Sequence, residues 1–184
     1  VVDDGSTDDS CHILSTFGDS IRVLHQRQQG PAAARNLALQ QAQGDYIAFL
    51  DADDVWLPGK LLMQVAYLQA HPDVSAVFGR FLRWEAQPSD GQFAQPPARA
   101  AYEEAASRWH QQPAPFKTTA LQGDLYADLL LDSVVHIITA VVRKSALAEV
   151  QGFDAGLNTG SDYDFWLRLS RAHRIDQLDV CAAW

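Results

Sequence analysis

The chain has 184 residues, a formal charge of −9 and 47% hydrophobic residues, enough for one domain with a substantial core and too apolar for a disordered chain. Its acidity excludes a nucleic-acid binder, which draws affinity from phosphates neutralised by Lys and Arg. No apolar run approaches the ~20 residues that cross a bilayer, and no signal peptide is visible.

The opening "VVDDGSTDDS" reads as the end of a strand entering a turn, followed by a short helix over 8–17 with Asp8 or Ser6 as N-cap. "IRVLHQ" at 21–26 reads as a strand. In "GPAAARNLALQQAQG" Pro31 sits near the first helical position and Gly44 supplies the stop. "DYIAFLD" at 45–51 is a continuous apolar strand of the kind covered on both faces. Pro58 opens an amphipathic helix with Leu61, Leu62, Val65 and Leu68 on one side, ending near His71, and 74–84 is the next strand. The segment 86–100 holds three prolines without apolar periodicity and reads as a surface loop. Beyond it the pattern predicts a helix at 123–133, a strand at 136–143, a short helix in "KSALAEV" stopped at "QGFD", and an amphipathic helix at 162–172. "VCAAW" reads as a strand cut midway, and with Val1-Val2 at the other end the chain reads as a fragment truncated at both ends. The β-α-β-α-β order implies an α/β fold with a mainly parallel central sheet flanked by helices. Ligands of such sheets bind beyond the carboxyl ends of the strands, where both "DDGSTD" and "DADD" fall.

Three acidic clusters carry the candidate chemistry. In extended chain Asp51 and Asp53 of "FLDADD" face one point while Asp54 faces elsewhere. A D-x-D there suits Mg²⁺ or Mn²⁺ bridging a diphosphate, and equally suits a turn capping the next helix. Asp3 and Asp4 stand at a strand end, where a carboxylate accepts hydrogen bonds from a base or ribose; Gly5 and Ser6 suit the turn itself. Arg35 is either a partner of these carboxylates or of a nucleotide, or an ordinary helix-surface residue. Asp162 in "GSDYDFWLRL" is either an N-cap or a general base. Cys11 and Cys181 are too far apart in sequence for a disulfide framework or a zinc site, and reduced thiols are expected.

Together these pieces resemble the large family-2 group of inverting glycosyltransferases with the GT-A fold. The matching segments, in family order, are "VVDDGSTDDS", "GPAAARNLAL", "GDYIAFLDADDVWLPGKL", "VVRKSALAEVQGFD" and "SDYDFWLRL". The resemblance implies that Asp4, with Asp3 beside it, is the acidic pair that reads the nucleotide base. It places Asp51 near the ribose and makes Asp53 the ligand of a Mn²⁺ or Mg²⁺ ion. Asp162 corresponds to the base that deprotonates the acceptor hydroxyl; the Glu that usually precedes it is Ser161 here. The chain is then one catalytic domain, with a nucleotide-binding half at 1–84, a variable loop region at 85–120 and an acceptor-side half at 121–184. The expected donor is a UDP-sugar, and the acceptor a glycan, lipid-linked or other hydroxyl. The expected location is cytoplasmic, with any membrane association through parts of the parent outside this chain. A haloacid-dehalogenase-type phosphatase, reading "FLDADDV" and "GDLYAD" as its motifs, is the rival enzyme, and a non-catalytic sugar-nucleotide-binding domain is the rival from another class.

Overall fold

The structure is a computed structural model that describes residues 1–81 and 118–183. The loop read at 86–100, the end of the strand read to 84 and most of the variable region at 85–120 lie outside the described residues. In chain order the elements are β1 (Val2–Asp3), α1 (Ser10–Ser15), β2 (Leu24–His25), α2 (Pro31–Gln41), β3 (Tyr46–Ala48), α3 (Lys60–Ala70) and β4 (Val74–Phe81). They continue with β5 (Thr118–Gly123), α4 (Tyr126–Leu131), β6 (Val141–Arg143), α5 (Lys144–Val150), α6 (Ser161–Ser170) and β7 (Arg174–Ala183). No helix among the described residues is long and apolar enough to cross a membrane.

The α/β class stands, and strand direction is more mixed than the sequence pattern suggests. β1 and β2 form their own parallel pair, and five strands make a second sheet in the order β3-β6-β4-β7-β5. β6 lies antiparallel between β3 and β4, so those two run the same way; β7 runs parallel to β4, and β5 closes the edge antiparallel to β7. Three strands of this sheet thus share one direction, yet within it only the β4–β7 pairing is parallel.

Period-two alternation divides the core between the two faces of this sheet. Ile47, Phe49, Ala76, Phe78, Val142 and Ile175 point to one side, against α2, α4, α5 and α6. Val74, Val77, Val141, Leu178 and Val180 point to the other, against Tyr67 and Leu68 of α3. An aromatic stack sits on the first side: Phe153 lies face to face with Phe165 at 4.6 Å, and Phe49 meets both edge-on.

Three local expectations need correction. The strand read at 21–26 is only Leu24–His25. β1 offers only Val2 and Asp3 before the turn at Gly5 (φ 81°), and β2 pairs residue for residue with those two. The strand read at 136–143 begins as a 3-10 turn, Ile137–Thr139. Its carbonyls are claimed by side chains: Trp56 Nε1 donates to Ile138 O at 3.0 Å, Gln64 Nε2 to Thr139 O at 2.7 Å and Lys60 Nζ to Ala140 O at 3.2 Å. For the same reason α3 buries a different face. Lys60, Gln64, Tyr67 and Leu68 face inward, while Leu61 and Leu62 are 42% and 75% exposed.

Candidate functional site

β1 ends at Asp3, Asp4 follows it, and both carboxylates are fixed by the chain around them. Asp3 is buried; its Oδ1 accepts the Ser6 N–H at 3.1 Å, and its Oδ2 faces Cys11 Sγ at 3.3 Å and His25 Nδ1 at 3.2 Å. The bonds from Ser6, His25 and Cys11 hold its pKa well below the usual carboxylate range. Asp4 Oδ1 accepts from Gln26 Nε2 at 2.6 Å and the Gln29 N–H at 2.8 Å, and Oδ2 accepts the Gly30 N–H at 2.7 Å. Burial works to raise the Asp4 pKa, but the bonds from Gln26, Gln29 and Gly30 outweigh it and leave it lowered. Asp4 is therefore committed to the loop that leads into α2.

The second cluster is a turn. β3 ends at Ala48, and the Asp54 N–H closes back on Asp51 O at 3.2 Å. The extended-chain argument, with Asp54 facing away, does not apply, because the turn brings Asp54 within reach of the charges of Asp51 and Asp53. Burial first, then the charges of Asp53 and Asp51, push the Asp54 pKa up to about 6. Arg35 answers only one of them: its Nη2 reaches Asp51 Oδ1 at 2.8 Å and Oδ2 at 2.7 Å, with the guanidinium 5.6 Å above the Phe153 ring. Asp53 is exposed and has no hydrogen-bond or ion-pair partner among the described residues. A turn with three carboxylates, one basic partner and a raised pKa is short of positive charge, and hard oxygen donors of this kind fit Mg²⁺ or Mn²⁺.

One helix links the two clusters. α2 receives Asp4 on Gly30 at its N-cap and sends Arg35 to Asp51 from its second turn, about 7–8 Å further along its axis. On the far side, Asn36 exchanges two 2.8 Å hydrogen bonds with the Phe153 backbone. This contact explains Gly152: its φ is +74°, and a Cβ there would lie 2.5 Å from Asn36 Oδ1.

The third cluster opens α6. Its N-cap is Gly160, and Asp162 lies in the first turn, half-buried and making no capping bond, so the cap reading of Asp162 fails. The neighbouring Asp164 serves structure. It takes two bonds from Arg168, which also donates to the carbonyls of Gly152 and Val150 and so closes the α5–α6 connection. Ser161 is 6% exposed. Sequence reasoning missed Asp54 and the row of Trp56, half-buried, and Lys60 and Gln64, buried, that fastens the acidic turn to the 137–140 segment.

The profile described as Glycosyl transferase family 2 matches residues 1–122. The chain belongs to that family. Membership absorbs "DDGSTD" and "FLDADD" together, which the phosphatase reading could not; the Asp124 of "GDLYAD" simply accepts the Tyr126 N–H at 3.1 Å at the start of α4. Among family-2 relatives, an uncharacterized glycosyltransferase of Rickettsia felis is 44% identical over 71 residues, covering 38% of this chain and 12% of that protein. The Escherichia coli UDP-Glc:alpha-D-GlcNAc-diphosphoundecaprenol beta-1,3-glucosyltransferase WfgD is 40% identical over 83 residues, covering 44% of this chain and 32% of that protein. Among solved structures, S. aureus TarS 1-349 in complex with UDP-GlcNAc superposes with a TM-score of 0.65 at 23% identity, over 100% of this chain and 47% of that one. The mannosyltransferase PcManGT from Pyrobaculum calidifontis, in complex with GDP-Man and Mn²⁺, gives a TM-score of 0.62 at 19% identity, over 99% of this chain and 46% of that one. These likenesses establish the GT-A-type fold. The chain spans about half the length of those solved chains, and the matches cover less than half of the curated relatives.

Proposed function

We propose that the chain is the catalytic part of a metal-dependent, inverting glycosyltransferase that moves a sugar from a UDP-sugar to an acceptor hydroxyl. The observation that carries this reading is the α2 bridge, which ties the Asp3–Asp4 strand end to the Asp51–Asp54 turn and leaves Asp53 without a counter-charge. In this reading Asp3 reads the base, and Asp4 holds the loop against which the base lies. Asp51, oriented by Arg35, meets the ribose. Asp53 would hold Mn²⁺ or Mg²⁺, and the ion would supply positive charge to the diphosphate. Asp162 accepts the proton of the acceptor hydroxyl as its oxygen bonds to the anomeric carbon and the bond from that carbon to the diphosphate breaks. Displacement in one step inverts the anomeric centre.

UDP-sugars are favoured as donors because a UDP-glucose enzyme and a UDP-GlcNAc complex stand among the relatives and neighbours. The diphosphoundecaprenol named for the Escherichia coli relative supports a lipid-linked acceptor. The test is a panel of nucleotide sugars offered to the full-length protein with Mn²⁺ and hydroxyl acceptors, with the product anomer read by NMR. Transfer with inversion is expected; a product that retains the donor configuration contradicts the mechanism, and nucleotide binding without transfer under any condition favours a non-catalytic domain.

A further inference from the structure

Cys11, set aside in sequence as a lone reduced thiol, lies beside two other metal-ligand types. β1 and β2 pair Asp3 directly with His25, which puts both side chains on one face, and α1 lays Cys11 over the same point. One ligand atom from each of the three lies within 4.8 Å of the other two. The Asp3 Oδ2 separations, 3.3 Å to Cys11 Sγ and 3.2 Å to His25 Nδ1, are close to the roughly 3.3–3.6 Å edges of a tetrahedron built on zinc–ligand bonds. Ser6 already holds the other Asp3 oxygen, so the ligating one is pre-aimed.

We propose that Asp3, Cys11 and His25 form a binding site for a zinc-class divalent cation, separate from the hard-metal site at Asp53. The donor set is thiolate, imidazole and carboxylate, which favours Zn²⁺ or Co²⁺ over Mg²⁺, and three protein ligands leave the fourth position to water. Without metal the Cys11 thiol donates its proton to Asp3 Oδ2; the metal takes the place of that proton, which is released to solvent. The consequence for donor binding rests on the function proposed above. Asp3 is assigned there to the base, so zinc and the nucleoside compete for one carboxylate.

The test is titration of the metal-stripped full-length protein with Co²⁺ alone, followed by absorption. A thiolate-to-cobalt charge-transfer band with the strong visible bands of four-coordinate cobalt is expected, bleached by Zn²⁺. Cys11→Ser loses the charge-transfer band, Cys181→Ser keeps it, and His25→Gln weakens Zn²⁺ binding by more than roughly tenfold, the lower end of what a lost second-shell partner costs. No charge-transfer band at saturating Co²⁺, or a band unchanged in Cys11→Ser, overturns the site. Uridine separates the two claims, because it has no phosphate with which to strip the metal. A band that fades with uridine supports competition at Asp3. One indifferent to uridine leaves the zinc site standing and overturns the assignment of Asp3 to the base.

Discussion

Replacing Lys60 by Met is expected to remove most of one steep pH dependence of stability. Lys60 is 1% exposed, donates to Ala140 O at 3.2 Å and lies 4.7 Å over the Trp56 ring, with no carboxylate paired to it among the described residues. Burial lowers its pKa from the ordinary 10.5 to about 7. A lowered amine favours the neutral form in the folded state, so its contribution is complete above 10.5 and is lost as pH falls toward 7; below 7 both states bind the proton and the loss stops. At about 1.4 kcal/mol per tenfold change in proton affinity, the fall from 10.5 to about 7 amounts to roughly 5 kcal/mol. Met fills similar volume without a charge and loses one hydrogen bond worth about 1 kcal/mol. At pH 7 the variant should therefore be the more stable protein by a few kcal/mol, and that advantage should disappear toward pH 10. Urea unfolding of both proteins at four pH values between these limits reads the difference directly, with tyrosine titration common to both. A difference that stays constant across the range would refute the reasoning.

Asp162→Asn should leave the melting temperature near wild type, since Asp162 makes no capping bond and its charge at the helix N-terminus is worth about 0.3–1 kcal/mol. In the full-length enzyme transfer should fall by roughly 10²-fold or more, as measured with a saturating donor. Arg35→Lys keeps the charge but loses the planar guanidinium that lies over Phe153 and sets Nη2 against both Asp51 oxygens; a stability loss toward the lower end of about 1.5–3 kcal/mol is expected, because Asp51 is 37% exposed, together with weaker donor binding by calorimetry. Gly152→Ala forces a side chain into left-handed backbone and onto Asn36 Oδ1, which should cost about 2–3 kcal/mol by chemical denaturation.

Much of the scaffold was legible because it obeys local rules. The apolar "YIAF" and "VSAVF" runs became β3 and β4, Pro31 opened α2, and "QGFD" stopped α5 at the two left-handed residues Gln151 and Gly152. What escaped depends on contacts distant in sequence. The inward face of α3 carries Lys60 and Gln64, whose carbonyl partners lie 80 and 75 residues further along, so apolar periodicity pointed to Leu61 and Leu62 instead. Those same side-chain donors, with Trp56, turned a predicted strand into a 3-10 turn. The insertion of β6 between β3 and β4 has no local signal at all. At the site, residue types and strand-end positions were readable from the acidic motifs. That Asp4 is spent on its own loop, that Asp54 joins Asp51 and Asp53, and that Asp3 meets Cys11 and His25 required the turns and the β1–β2 register.

The central claim is that the Asp51–Asp54 turn binds a donor diphosphate through a divalent ion, and nucleotide-induced thermal stabilisation of the full-length protein tests it most directly. With Mn²⁺ present, UDP at about 100 times its Kd should stabilise the wild type by roughly 2.7 kcal/mol, seen as a rise in Tm. That rise should vanish in excess chelator and in Asp53→Ala even with Mn²⁺. Equal stabilisation by UDP in chelator, or an undiminished metal-dependent rise in Asp53→Ala, would contradict the account.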